Sequence, residues 1–207
     1  MPLVGTRANA SARAYGFTSG APEVLGGMVL ITPTSIASTG TGNSSSINAN
    51  GSVTFSTCTA LSLNGIFTST YDNYMVVMRM TSSGSCAILA RLRAAGSDAT
   101  ATTDYNDQEL AASGATVGGS RDTSNGFWVP CPSTTTWRNG FTDYLYGPYL
   151  SQPTAHRSVT IDSYLGGYIQ DHAGTHELST SYDGMTWYPN ASATMTGLIS
   201  VYGLVGA

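Results

Sequence analysis

The stretch "STYDNYMVVMRM", residues 69–80, reads as a turn leading into a strand with no face that wants water. At period two, Tyr74, Val76, Met78 and Met80 share one face, and Met75, Val77 and Arg79 share the other. A sheet in a lone sandwich alternates apolar-in with polar-out. An apolar second face therefore calls for a second cover, either another layer or another copy of the chain.

Working outward, the chain from Met28 onward is a series of short strands punctuated by turns, with no sustained helical period. "MVLITPTSI" reads as one strand interrupted by Pro33, which suits an edge. "SVTFSTC" and "ALSLNGI" alternate and place Val53 and Phe55 in the core. The turn residues of "TSSGS" predict a hairpin between "NYMVVMRM" and "CAILARLRAAG", whose alternation separates Ile88, Ala90 and Leu92 from Leu89, Arg91 and Arg93. Residues 97–126 read as a long polar excursion with a short helical turn near Gln108 to Ala112. In "HRSVTIDSY", Val159 and Ile161 are expected inward, with Ser158, Thr160 and Asp162 outward, and Asp183-Gly184 is the strongest hairpin signal. About nine short strands of even spacing predict an all-β, jelly-roll-like antiparallel β-sandwich over residues 28–207.

Residues 1–27, "MPLVGTRANASARAYGFTSGAPEVLGG", have neither period and cannot build a core of their own. They read as an extended N-terminal attachment arm. Small side chains let such a backbone approach a partner closely, Tyr15 and Phe17 can anchor in pockets, and Arg7 and Arg13 can pair with acidic groups.

Charged residues are only 10% of the chain, all eight basic residues are Arg, and the formal net charge is -4. No basic stripe is available for counterion release, so nucleic acid is not an expected partner. The longest apolar run, "GGMVLI", is too short to cross a bilayer and lacks a basic n-region, so neither membrane insertion nor general secretory export is expected. Cys58, Cys86 and Cys131 are odd in number and lack C-x-x-C spacing, which predicts buried reduced thiols, with a Cys58–Cys86 bridge as the alternative.

The sharpest polar constellation is "QDHAGTHE". On a strand, His172 and His176 would share a face about 13 Å apart, too far for one metal ion, so both are expected as hydrogen-bonded surface histidines. "DYNDQE", from Asp104 to Glu109, lacks the calcium loop's Gly and terminal Glu spacing. No carboxylate pair, nucleophile elbow or phosphate loop stands out. The chain is thus expected to be no enzyme, with no catalytic residue, metal or cofactor. Twelve Tyr and three Trp cluster at "TYDNY", "GFW", "DYLYGPY" and "TWYP", and such aromatics serve either the core or a surface that binds sugars or proteins.

The order "TSTYDNYMVVMRM", "LARLRAAGSDATATTDYNDQ", "YLYGPYLSQPTAHRSV" and "AGTHELSTSYDGMTWYPNASATMTGLISVYGL" resembles small virion proteins of tailed bacteriophages: tail-fibre, fibre-tip or capsid-decoration modules. The resemblance spans nearly the whole chain after Met28 and rests on a diffuse pattern rather than a catalytic motif. It implies a non-enzymatic structural protein of the virion, assembled in the host cytoplasm as a homotrimer. Its partners would be other phage structural proteins and a host surface glycan or protein. In the trimer, Met75, Val77 and Arg79 would form the subunit interface, with Arg79 needing a carboxylate partner. A capsid cement or head-fibre protein of the same fold is the alternative, and a glycan-degrading module a more distant one.

Overall fold

Alternation at period two organises the whole of the computed structural model, which describes residues 27–129, 139–162 and 168–206. The described residues contain no helix. In chain order the strands are β1 (Gly27–Ile31), β2 (Ser35–Thr39), β3 (Ser44–Ile47), β4 (Val53–Cys58), β5 (Ala60–Asn64), β6 (Asn73–Ser82), β7 (Ile88–Ala94) and β8 (Ser97–Asp98). They continue as β9 (Tyr105–Ser113), β10 (Thr116–Ser124), β11 (Phe127–Trp128), β12 (Asn139–Tyr146), β13 (Thr154–Asp162), β14 (Tyr168–His176), β15 (Gly184–Pro189) and β16 (Met195–Val205).

Two antiparallel sheets result. One has ten strands, in the order β10-β9-β14-β13-β12-β6-β16-β4-β3 with β1 also on β16; the other has six, in the order β11-β7-β15-β5-β2 with β8 on β7. The sandwich proper is β12-β6-β16-β4 facing β11-β7-β15-β5. Along the chain β4, β5, β6 and β7 alternate between sheets, β11 joins β7, and β12, β15 and β16 alternate again. That path is a jelly roll. The β13–β14 and β9–β10 hairpins then extend the larger sheet past β12 as a four-strand wing.

The core lies between the sheets. Tyr74, Val76 and Met78 of β6 meet Ile88, Ala90 and Leu92 of β7 and Met185 and Trp187 of β15, with Val53, Phe55, Leu61, Leu63 and Phe127 completing it. Cys58 and Cys86 are buried and free, so no bridge joins them; Cys131 lies outside the described residues. Burial pushes both described thiols above their ordinary pKa.

Several local expectations are corrected. "MVLITPTSI" is two strands, because Pro33 separates β1 in one sheet from β2 in the other. β6 and β7 are not paired: the "TSSGS" turn carries the chain across the sandwich, as the jelly-roll path demands. Gln108 to Ala112 form no helical turn but the middle of β9, held by a nine-pair register with β10 on one side and β14 on the other. Gly184 opens β15 instead of turning a hairpin, and a Cβ there would lie 2.5 Å from the Leu63 carbonyl oxygen of the neighbouring strand. The polar region and the loops supplied the additional strands.

Candidate self-association face and the ionic network behind it

The outer faces of the two sheets differ in kind. On the six-stranded sheet, Arg93 donates to Asn64 Oδ1 at 3.0 Å and Thr186 Oγ1 at 2.8 Å and pairs with Asp98, while Arg91 lies 4.2 Å over the Tyr188 ring. These groups satisfy one another within the chain. On the ten-stranded sheet, cross-strand register aligns Val77, Thr142, Val159, Asp171, Leu110 and Gly119 in one outer row. The adjacent row holds the positions Arg79, Gly140, Ile161, Ile169, Ala112 and Val117. Val117, Leu110 and Ile169 are 69%, 59% and 56% exposed, and Val77, Val159, Tyr144 and Tyr146 are exposed beside them. The charged groups at the centre of this face are paired, since Arg157 donates to both carboxylate oxygens of Asp171 at 3.0 and 2.5 Å.

The three interface residues expected from sequence all lie on this face. Met75 is 8% exposed, covered within its own chain, whereas Val77 is 36% exposed. Arg79 is exposed without an ion-pair partner among the described residues. It lines a groove of about 310 Å³ with Thr54, Ser56, Thr81, Thr196 and Leu198, where the β16–β4 register shifts between Met195 and Gly197. Arg7, Arg13, Tyr15 and Phe17 lie outside the described residues.

Behind the apolar outer face, the inner face of the wing is polar, which reverses the orientation expected for β13. Ser158 and Thr160 are buried and Val159 is exposed. The cause is the neighbouring strands. His156 of β13 sits between two carboxylates, with Nδ1 3.1 Å from Asp143 Oδ1 on β12 and Nε2 3.1 Å from Asp107 Oδ2 on β9. It reaches Asp107 across β14 because residue 174 is glycine; a Cβ there would lie 3.1 Å from His156 Nε2 and 2.2 Å from the Asn106 carbonyl oxygen. Phe127 stacks on the imidazole at 4.0 Å. Asp107 also accepts from His172 Nδ1 at 2.9 Å and from the Trp128 backbone N–H at 3.1 Å, which ties the wing to the smaller sheet.

Burial alone would push the His156 imidazole down, but the Asp143 and Asp107 charges and hydrogen bonds outweigh it and raise the pKa to about 9. His156 is therefore a cation at neutral pH. Burial likewise opposes ionisation of Asp107, and the hydrogen bonds and charges of His156 and His172 overcome it, holding the carboxyl below its usual range. His172 and His176 are buried, not on the surface as expected. His176 packs edge-on against Tyr105 at 4.3 Å and lies 3.3 Å from the Tyr182 hydroxyl, and burial pushes its pKa down.

This arrangement holds four strands against one another through directional bonds. Asp107 and His172 resemble the acid and base of a triad, and Ser158 is the register partner of His172. Yet His172 Nε2 lies 4.0 Å from Glu109 Oε1 on the opposite side, and both Nε2 and the buried Ser158 Oγ lack a hydrogen-bond partner. Among the described residues no three His, Cys, Asp or Glu side chains converge as metal ligands. The odd–even phase of "TAHRSVTID" was visible in sequence, but nothing in the segment names Asp107, 49 residues away, as the partner of His156. No protein-family model matches the chain, and no curated protein is significantly similar to it.

Proposed function

We propose that the protein is a non-enzymatic, homo-oligomeric structural module of a tailed-phage particle, a trimeric tail-fibre or receptor-binding unit attached through its N-terminal arm. The observation that carries self-association is the apolar outer face of the ten-stranded sheet, with Val117, Leu110 and Ile169 more than half exposed. Six strands spaced ~4.8 Å, each about nine residues long at ~3.4 Å per residue, give a whole face, polar positions included, of roughly 880 Å². That matches the ~800 Å² per partner of a stable interface. A neighbouring copy would cover it, with a carboxylate entering the groove beside Arg79. The phage assignment rests on the sequence resemblance.

Light scattering tests the first part. The wild type is expected at the mass of a closed oligomer at micromolar concentration. Ile169→Glu should dissociate it, and Ala37→Glu, on the exposed outer face of the smaller sheet, should not. A monomeric wild type, or equal effects of the two substitutions, overturns the reading. Copy number in intact particles tests the second part: a few tens would mark a tail component, hundreds a capsid-decoration protein, and absence from particles would refute both.

A further inference from the structure

We infer that β10 is a homotypic docking edge, pairing antiparallel with β10 of a second copy in a register centred on Ser120. This goes beyond the outer-face reading and rests on a different observation. β10 closes the wing with nine residues in unbroken register on β9, and its first eight, Thr116 through Thr123, are all exposed. Among the described residues its other side has no strand partner, so alternate backbone N–H and C=O groups face outward from the described sheet along its length. The other ends of the two strand paths are short: β3 has four residues, β2 five and β11 two. Proteins protect long edges with charged side chains, Lys above all, with Pro or with a bulge; "TVGGSRDTS" has no Lys, Pro or bulge, and its two charges, Arg121 and Asp122, are of opposite sign and adjacent.

The occupant follows from self-complementarity. A two-fold axis normal to the sheet keeps outer side chains opposite outer ones, so the register must centre on a residue. Centring on Arg121 or Asp122 sets like charges against each other, and centring on Gly119 leaves Thr123 and Ser124 unpaired. Centring on Ser120, the middle of the strand, pairs all nine residues. Thr116 then meets Ser124, Val117 meets Thr123, Gly118 meets Asp122 and Gly119 meets Arg121 of the other copy. Each charged side chain faces a glycine. Because Gly119 is the register partner of exposed Leu110, the Arg121 stem of one copy can cross Gly119 and cover Leu110 of the other. This two-fold contact adds to whatever symmetry closes the outer face.

Disulfide trapping in the full chain tests the pairing. Opposed residues have Cα atoms about 4.5–5.5 Å apart, within the range a disulfide spans. Under mild oxidation Ser120→Cys should run on non-reducing gels at twice 21.5 kDa. Val117→Cys alone should not, because its two copies would lie about 20 Å apart. An equimolar mixture of Val117→Cys and Thr123→Cys should cross-link. Wild type is the blank for the native cysteines, and circular dichroism checks that each variant is folded. No dimer above blank in Ser120→Cys, or equal cross-linking in all variants, overturns the inference; the first result is also what occupation of the edge by another segment would give. Repeating Ser120→Cys with Ile169→Glu separates the two contacts: persistent cross-linking places the edge pairing apart from the outer face.

Discussion

Neutralising His156 should remove a pH dependence of stability that the wild type is expected to show above neutrality. In the folded protein this imidazole is fully enclosed between Asp143 and Asp107, with its pKa raised from 6.5 to about 9. A raised pKa means that the folded state holds the proton more tightly than the unfolded chain. The resulting stability is fully present below pH 6.5 and is lost as pH rises through about 9. At ~1.4 kcal/mol per pKa unit, this shift corresponds to about 3 kcal/mol. His156→Gln keeps a polar side chain but leaves two buried carboxylates without their cation, so it should cost about 3–5 kcal/mol near pH 6.5.

Urea unfolding followed by tryptophan fluorescence, at fixed protein concentration from pH 6.5 to 9.5, measures both effects. Below pH 6.5, His176 acts with the opposite sign, because its depressed pKa opposes protonation in the fold. Near pH 9, the raised thiols of Cys58 and Cys86 add a loss of their own. Both groups remain in the variant, so the difference between the two curves isolates His156. It should shrink by about 3 kcal/mol across the window. A constant difference would refute a buried, charged His156.

Gly174→Ala should destabilise by about 2–3 kcal/mol in the same assay, because the new Cβ meets the Asn106 carbonyl oxygen and His156 Nε2; an unchanged midpoint would mean that the strands have room. Thr160→Val should be neutral or stabilise by about 1 kcal/mol, since the buried Oγ1 has no hydrogen-bond partner, and a clear loss would refute that. Lowering pH through the depressed pKa of Asp107, below the ordinary 3.8, should release the wing, seen as loss of near-ultraviolet signal around Trp128; retention of that signal in strong acid would count against Asp107 as the tie. Deleting residues 1–25 stops short of β1 and should leave the sandwich folded and oligomeric but unable to join particles. Normal copy number of the truncated protein would remove the arm from the mechanism.

The fold was legible where burial and alternation agree. Val53 and Phe55, and the split of Ile88, Ala90 and Leu92 from Leu89, Arg91 and Arg93, follow from period two because the apolar set does face the core. On β13 the same rule gives the right phase and the wrong sign. Period two states that Val159 and Ser158 face opposite ways, and only Asp107 and Asp143 on other strands determine which way is in. Helix formers at Gln108 to Ala112 suggested a turn of helix, yet pairing on both sides overrides so weak a preference. Turn residues at "TSSGS" mark a reversal without saying whether the chain returns along one sheet or crosses to the other.

The polar inner wing and the apolar outer wing make sense as one device. A buried cation between two carboxylates adds little net stability compared with a well-packed apolar core, but its bonds are directional. An inner face of interchangeable aliphatic residues could slip by two positions and still bury its side chains. The bonds among Asp143, His156, Asp107 and His172 cannot, because each demands one partner at one place across four adjacent strands. The wing is thereby fixed in register, and its outer face becomes a stiff plate whose apolar rows keep one spacing. On the opposite side of the molecule, the Arg93 cluster and the Arg91–Tyr188 stack already satisfy the surface. Among the described residues one broad face is left without such internal pairing, and the assembly proposed for such a unit would close on that face instead of stacking through both.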